Sequence, residues 1–309
     1  MSAQIDISQG AAQSWAIITP SYRGDYERCV LLCKSLDAFV NGPWHHYIIV
    51  ETVDLVLFRP LAGPRRTILE MEALLPKSFY HLARIPIINN RSVWFSWRTG
   101  FMVGWHVQQL VKMEMAFQVQ DEGLLYCDSD VFFVRPFDIS NLSENGKCRF
   151  YRTEVEYPAD RIPNPKYISV SARQLKLPDP IFPSPTYVEN LVPWHAATVR
   201  GLCAHVAAAS GRDWKYTLGR EIFLSEYSLY GLYVERILKM PALFQVSNQI
   251  LCKTVWNRGA MDDAALSDFF SEVPPPIVAL GVQSFVGIAV SRLEQQFDLL
   301  LKKAKGAHS

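Results

Sequence analysis

Two aspartates, Asp128 and Asp130, follow an apolar run at residues 124–127 that predicts a buried strand. Open α/β sheets bind their ligands beyond the carboxyl ends of the strands. If the extended conformation continues through the pair, both carboxylates point to the same side of the chain. Carboxylate oxygens suit Mg²⁺ or Mn²⁺, which also bind substrate phosphates. The pair is therefore a candidate metal site, although two solvated aspartates in a turn would give the same pattern.

A second candidate group lies on one face of a helix predicted over residues 99–119. Trp105, Gln109 and Lys112 recur at i, i+4 and i+7, a spacing that brings side chains to the same face. The pattern could be a functional face that borders a site. A solvated face is the competing interpretation, and the tryptophan in the stripe counts against it.

Glu226 falls within the apolar stripe of a helix predicted over residues 220–240. A carboxylate that faces a core is costly unless it is paired or used. Glu226 could act as a general base for an acceptor hydroxyl, or it could form a buried link to an arginine or a tyrosine hydroxyl. Four other residues are candidates for binding the molecule that carries the acceptor hydroxyl: Trp194, His195, Tyr227 and Tyr230. A lone histidine is more often structural than functional.

The hydrophobic pattern predicts an α/β scaffold for these side chains. A strand over residues 15–20, a helix over 25–39 and a strand over 46–51 form a β-α-β unit. Such alternation favours a parallel sheet covered by helices. Residues 157–193 are rich in proline and should be irregular. The remaining predictions are a short helix over 67–75, a strand near 81–86, and helices over 198–209 and 220–240.

Composition excludes several classes of protein. The 309 residues are 49% hydrophobic and carry a net charge of +1, which is neither the profile of a disordered chain nor that of a nucleic-acid binder. No signal peptide is visible. The six cysteines are scattered, which predicts reduced, buried thiols. A cytoplasmic protein is the resulting expectation.

Contact with a membrane is expected to be peripheral at most. The longest apolar stretch, residues 277–290, is shorter than the roughly 20 residues that a membrane span requires. The C-terminal tail reads as a short basic amphipathic helix. It could touch an anionic membrane at its inner face, or it could pack its leucine face on the protein body.

Several motifs, in order and spacing, resemble a GT-A glycosyltransferase. They are Ile17-Ile-Thr-Pro-Ser-Tyr22, Trp105-His-Val-Gln-Gln-Leu-Val-Lys112, Leu125-Tyr-Cys-Asp-Ser-Asp-Val-Phe-Phe133 and Ser225-Glu-Tyr-Ser-Leu-Tyr-Gly231. More narrowly, they resemble a group of uncharacterised bacterial GT-A-like proteins over roughly residues 15–290. The resemblance implies an α/β GT-A fold, a Rossmann-like, mostly parallel central sheet flanked by helices. Residues 1–140 would bind a nucleotide sugar and residues 141–309 an acceptor, and the two halves would share one continuous core.

The resemblance also implies roles for individual residues. Thr19, Pro20 and Tyr22 would contact the nucleotide base, and Arg23 would add a base or phosphate contact. The helix face with Trp105, Gln109 and Lys112 would look at the nucleotide. Asp128 would face the ribose or the metal, and Asp130 would bind Mn²⁺ or Mg²⁺ directly. The implied activity moves a sugar from a UDP or GDP donor to a hydroxyl of a bacterial glycan or lipid-linked acceptor.

One departure from the family pattern concerns the metal. Many GT-A enzymes complete its coordination with a late histidine, whereas the comparable region here is Gly281-Val-Gln-Ser-Phe285. Gln283 or a water would have to fill that position. Two other functions fit parts of the pattern: a haloacid dehalogenase-like phosphatase, with Asp262 and Asp263 as its second acidic pair, and a non-catalytic glycan-binding relic of the transferase fold.

Overall fold

The computed structural model describes residues 14–85, 91–154, 165–239, 242–255, 262–271 and 273–306. Its α-helices are α1 Tyr26–Phe39, α2 Leu55–Phe58, α3 Gly104–Gln118, α4 Pro165–Gln174, α5 Ala196–Ser210, α6 Trp214–Leu218, α7 Glu226–Leu232, α8 Asp263–Ser271 and α9 Val290–Gly306. A π-helical turn, Tyr233–Leu238, continues α7.

The strands are between two and seven residues long. They are β1 Trp15–Pro20, β2 Val40–Asn41, β3 Trp44–Val50, β4 Arg66–Glu70, β5 Tyr80–Ile85, β6 Arg91–Ser96, β7 Gly100–Val103, β8 Gly123–Tyr126, β9 Val131–Phe133, β10 Phe137–Asp138, β11 Ser143–Glu144, β12 Lys147–Tyr151, β13 Thr153–Glu154, β14 Pro185–Thr186, β15 Val192–His195, β16 Phe244–Ser247, β17 Cys252–Val255 and β18 Ala279–Val282.

The central sheet has the strand order β15-β8-β1-β3-β4. β4, β3, β1 and β8 are parallel, and β15 joins the edge of β8 antiparallel. Every residue of β1 is buried, as expected for a strand covered on both faces. The expectation of a mixed α/β protein with a mostly parallel central sheet and flanking helices is therefore confirmed. The carboxyl ends of the parallel strands lie at one edge of this sheet.

Two predicted helices differ from the structure near the middle of the chain. The segment predicted as a helix over 67–75 begins as strand β4, because residues 66–70 pair in parallel with His46–Val50 and this pairing overrides the local helical pattern. It ends in a short 3-10 helix, Glu72–Leu74. The helix predicted from residue 99 begins only at Gly104. Gly100 has a φ of +82° and begins β7, which pairs with β6, a strand that the sequence pattern missed.

Two further predictions are corrected in the second half of the chain. The proline-rich stretch contains a regular helix, α4. The helix predicted over 220–240 does not start at Arg220: α7 begins at Glu226, after Ser225, whose hydroxyl accepts the Ser228 N–H. Glu226, which was expected inside a helix, is therefore the first residue of α7.

One cluster of buried apolar side chains runs through both halves of the chain, from Trp15 in β1 to Phe297 in α9. The tail helix contributes Leu293 and Phe297 to it, and the Phe297 ring meets the Phe39 ring of α1 edge to face at 6.0 Å. All six cysteines are free and buried, as expected. Within the described residues, no helix is long and apolar enough to cross a membrane.

Candidate functional site

The Asp-Ser-Asp motif lies where the chain leaves the central sheet. Extended structure ends at Tyr126, and the Val131 N–H donates to the Asp128 carbonyl at 3.2 Å. The chain therefore turns at the motif, and the expectation that an extended conformation continues through both aspartates is wrong. The turn sends β9 into a second sheet beside β18. As a result, Asp128 faces α3 while Asp130 faces the loop that follows β18.

Asp130 is a buried carboxylate in acidic surroundings. It accepts hydrogen bonds from the Ser284 N–H at 3.1 Å and from Gln283 Nε2 at 3.4 Å. Burial, reinforced by the nearby carboxylates of Asp128 and Asp25, raises the pKa of Asp130 to about 8. The sequence analysis offers Gln283 in place of the missing histidine, and Gln283 does contact Asp130. The contact is made by its amide nitrogen.

Lys112 links Asp128 to Glu226. Its Nζ lies 3.3 Å from Asp128 Oδ1 and 3.3 Å from Glu226 Oε1, and its side chain is 8% exposed. Burial alone would lower the pKa of Lys112, but the two carboxylates outweigh it and hold that pKa well above its ordinary value. The ring of Tyr227 lies 5.4 Å from the same nitrogen. The protein thus holds a charged ammonium group between two elements that are far apart in sequence.

Glu226 sits at the amino-terminal end of α7, where the helix dipole favours a negative charge. Its side chain is almost fully buried, and burial raises the pKa of its carboxyl against the opposing effect of Lys112. Gln109 accepts the Glu226 backbone N–H through Oε1 at 3.0 Å. The other end of that amide, Gln109 Nε2, is buried without a hydrogen-bond partner within the described residues. An unpaired buried donor is costly, so this amide is a candidate ligand contact.

The loop after β1 is braced by its own contacts. The Thr19 hydroxyl is buried against His46 Nε2 at 3.0 Å, so this side chain points into the sheet. Arg23 pairs with the buried Asp54 through Nε at 2.6 Å and through its backbone N–H at 2.9 Å. Pro20 is buried at the end of β1, and Tyr22 is half-buried beside it. A ligand would therefore meet a pre-formed loop rather than a free guanidinium group.

The predicted acceptor residues lie together, but mostly in the core. The Trp194 ring meets the ring of Tyr227 at 5.7 Å, and the Tyr230 hydroxyl accepts the His195 N–H at 3.0 Å. Trp194 and Tyr230 stack on each other with ring centroids 4.0 Å apart, and both are buried. This makes them packing residues rather than a surface on which a sugar could lie. His195 pairs with Gly123 in the antiparallel register, which places it at the opposite end of β8, about 16 Å along the strand from Asp128. Tyr227, beside Lys112, does lie at the site.

Trp105 also lies away from the two aspartates. It is half-exposed at the beginning of α3, and its ring meets Tyr167 edge to face at 6.0 Å. The face that it shares with Gln109 and Lys112 exists as predicted, but only the latter two reach Glu226.

Strand β15 also brings Glu189 toward the Asp-Ser-Asp motif, and the sequence pattern did not single out this carboxylate. Tyr126 pairs with Val192, so the residues before β15 lie beside the motif that follows β8. Glu189 is among them, and burial raises the pKa of its carboxyl to about 7. It accepts the Asn190 N–H at 2.9 Å. No sequence signal identifies Glu189, because nothing in a proline-rich loop reveals which strand its end will join.

Comparison with known proteins connects this arrangement to a family. The model of a family of unknown function, DUF6492, matches residues 14–305. The chain belongs to the DUF6492 family. No curated protein sequence matches the chain. The matched region includes the central sheet, the Asp-Ser-Asp motif and the Lys112–Glu226 pair, so all the side chains described above lie within the family's own domain.

The donor set in this DUF6492 chain suits a hard divalent cation that shares its coordination with a ligand. Within the described residues, no three His, Cys, Asp or Glu side chains are arranged to hold a metal by themselves. The two carboxylates of the motif are near enough for repulsion from Asp128 to add to burial in raising the pKa of Asp130. Mg²⁺ is commonly held by one or two carboxylates plus phosphates and waters. Asp128 and Asp130 therefore fit a metal that arrives with a phosphate.

Glu189 gives a prediction for the pH dependence of stability. A carboxyl whose pKa is higher in the folded state stabilises the fold fully below its unfolded pKa, and this contribution is lost as pH rises through the folded value. Because of Glu189, the free energy of unfolding of the wild type should fall by up to about 3 kcal/mol between pH 4.5 and about 7. Glu189→Gln should not show this fall. Urea unfolding across this pH range measures the effect. Parallel pH profiles for the two proteins would contradict it.

Proposed function

We propose that this protein is a metal-assisted glycosyltransferase of the GT-A type, which moves a sugar from a nucleoside diphosphate to a hydroxyl group. The observation that carries the proposal is the buried group of charges at the carboxyl end of β8. There Asp128 and Asp130 lie in one turn, and Lys112 joins Asp128 to Glu226. Open α/β sheets bind ligands at this edge. The arrangement offers a site for a cation, for a phosphate and for a proton transfer.

Asp128 and Asp130 would hold Mn²⁺ or Mg²⁺ in this proposal. When bound, the cation offsets the negative charge that develops on the departing nucleoside diphosphate. Burial, and then repulsion from Asp128, raise the pKa of Asp130, and a bound cation would offset both effects. Gln283 and the Ser284 N–H orient the Asp130 carboxylate from the opposite side. These contacts fix the position of the Asp130 carboxylate before a donor binds.

Lys112 and Glu226 would serve the two ends of the transfer. Lys112 holds its proton at neutral pH and balances phosphate charge. Glu226 accepts the proton of the acceptor hydroxyl while the oxygen forms a bond to the anomeric carbon. The bond between that carbon and the diphosphate oxygen breaks, and the diphosphate leaves with the electron pair. Gln109, which fixes the Glu226 backbone at 3.0 Å, has a free amide hydrogen for the substrate.

The remaining contacts follow the family resemblance. The loop with Pro20 and Tyr22 would hold the base of a UDP or GDP donor, braced by the Arg23–Asp54 pair. Tyr227 would border the acceptor, a bacterial glycan or a lipid-linked sugar. We place this activity in the cytoplasm, at the inner face of the membrane.

Release of UDP or GDP from a panel of UDP- and GDP-hexoses tests this function, with Mn²⁺ present and water as the acceptor. We expect one donor to be turned over, and Glu226→Gln to lower kcat by about 10²–10⁴, the usual share of a general base. Glu114→Gln is the control, because it also removes a lysine-paired carboxylate, 2.6 Å from Lys215, but lies outside the site. Unchanged turnover in Glu226→Gln would remove its role as the base.

The same experiment separates the rival functions. Release of phosphate from small phosphate esters without any nucleotide would identify a phosphatase. Asp262, which that function would require near the motif, instead accepts the Ala265 N–H of α8 at 2.8 Å. Glycan binding with neither nucleotide binding nor turnover would identify a non-catalytic relic of the fold.

A further inference from the structure

The antiparallel sheet β5-β6-β7 has two apolar faces. Its inner face buries Trp94 and Met102, which are 0% and 2% exposed. Its outer face carries a cross-strand row in which Phe95 pairs with both Tyr80 and Phe101. An antiparallel sheet that covers a core normally turns polar side chains outward. Here the outward side chains are aromatic and aliphatic.

The outward side chains form a connected surface, which we call the aromatic face. Its members are Tyr80, Leu82, Phe95, Trp97, Phe101 and Val103. The Phe95 ring lies 4.9 Å from that of Trp97 and 5.1 Å from that of Phe101. Trp97 is 85% exposed and Phe101 is 75% exposed. Isolated exposed apolar residues are ordinary, but a contiguous group of this kind marks an interaction site.

The groove beside the aromatic face is mainly basic. Among the residues that line it are three arginines and one aspartate. Arg98 is exposed at the tip of the β6–β7 hairpin, and Arg220 donates from Nε to the Arg98 carbonyl at 2.7 Å. Arg212 lines the same groove beside them. The acidic member of that groove, Asp213, accepts the Lys215 N–H at 2.8 Å as the cap of α6.

We propose that the aromatic face docks this protein on an anionic lipid surface. Tryptophan and tyrosine concentrate at membrane–water interfaces because their rings are apolar and their edges polar. Each lysine or arginine near an anionic leaflet adds about 1 kcal/mol of attraction. The hairpin tip presents both features together, with Trp97 next to Arg98.

The aromatic face lies next to the helix that carries residues of the candidate site. α3 begins at Gly104, directly after β7, and carries Gln109 and Lys112 to the candidate site. Docking through the aromatic face would therefore bring that site near the lipid headgroups. The tail helix is a weaker candidate for the same task, since it buries Leu293 and Phe297 in the core. Docking needs neither a nucleotide nor turnover, so it stands apart from the proposed activity.

Co-sedimentation with vesicles tests the proposal on the full chain. We expect binding to vesicles of equal phosphatidylcholine and phosphatidylglycerol at low salt, and weak binding to phosphatidylcholine alone. Trp97→Ser with Phe101→Ser should weaken binding by about tenfold or more, since each large side chain contributes a kcal/mol or more when buried. Arg98→Gln should weaken binding mainly at low salt, because exposed charges are screened.

Val56→Ser with Val246→Ser is the matched control, because these residues are 76% and 61% exposed and lie on other elements. This variant should bind as the wild type does, and thermal unfolding should show that both double variants are folded. Failure to bind anionic vesicles, or equal binding by the Trp97/Phe101 variant, would overturn the proposal. So would a dimer that this variant abolishes, or oligothymidylate binding that it abolishes, because aromatic platforms with basic rims also bind single strands.

Discussion

Replacement of Lys112 by methionine is expected to lower the free energy of unfolding by about 3–5 kcal/mol, the usual cost of removing one partner of a buried ion pair. The reason is Glu226, which is 3% exposed and has Lys112 as its cation at 3.3 Å. Without the ammonium group, the carboxylate must stay charged in a low-dielectric environment or take up a proton. Methionine keeps the volume of the side chain, so packing contributes little to the effect.

Urea unfolding at neutral pH measures this loss. Lys34→Met is the control, because Lys34 pairs with Glu294 at 3.0 Å with both side chains exposed, and such pairs contribute less than about 1 kcal/mol. The double variant Lys112→Met/Glu226→Gln should recover much of the loss, because it leaves no unpaired charge on α7. A loss in Lys112→Met as small as that in Lys34→Met would show that the Lys112–Glu226 pair does not hold α3 and α7 together.

The sequence predicts the parts of this fold that depend on local pattern. The β1-α1-β3 unit appears as expected because continuous apolar runs and an amphipathic helix identify themselves. The placement of the Asp-Ser-Asp motif at a strand end follows from the same reasoning. β4 was misread as a helix, since residues 66–70 become a strand only through pairing with β3. Tertiary contacts of this kind are invisible in a short window of sequence.

The candidate site was predicted only in part, and the reason is again pairing. Lys112, Asp128 and Glu226 meet as a group, although the spacing alone did not show that Lys112 would bridge the other two. His195 and Glu189 depend on the direction of β15. Because that strand runs antiparallel to β8, it carries His195 away from the motif and brings Glu189 toward it. The sequence predicts that Trp194 and Tyr230 bind the acceptor, but their mutual stacking and burial place them in the core.

Asp130→Asn is expected to weaken nucleotide binding in the presence of Mn²⁺ by about 100-fold or more. The substitution removes a negative oxygen that would bind the metal directly, and changes even one shell further out cost 10- to 100-fold in metal affinity. The fold should persist, because burial raises the pKa of the Asp130 carboxyl and asparagine removes that unfavourable charge. Asparagine keeps an oxygen for the Ser284 N–H, and the Gln283 amide can turn its own oxygen toward the new N–H₂ donor. Thermal unfolding of the variant should therefore match or exceed that of the wild type.

Calorimetric titration of UDP and GDP into the wild type and Asp130→Asn, with Mn²⁺ and again with EDTA, tests the proposed donor site most directly. We predict that one of the two nucleotides binds the wild type in Mn²⁺, and that this binding collapses both in EDTA and in Asp130→Asn. Equal binding of that nucleotide in EDTA or by the variant would contradict a metal-assisted donor site at Asp128 and Asp130, and no binding of either nucleotide to the wild type would contradict a glycosyltransferase that uses them.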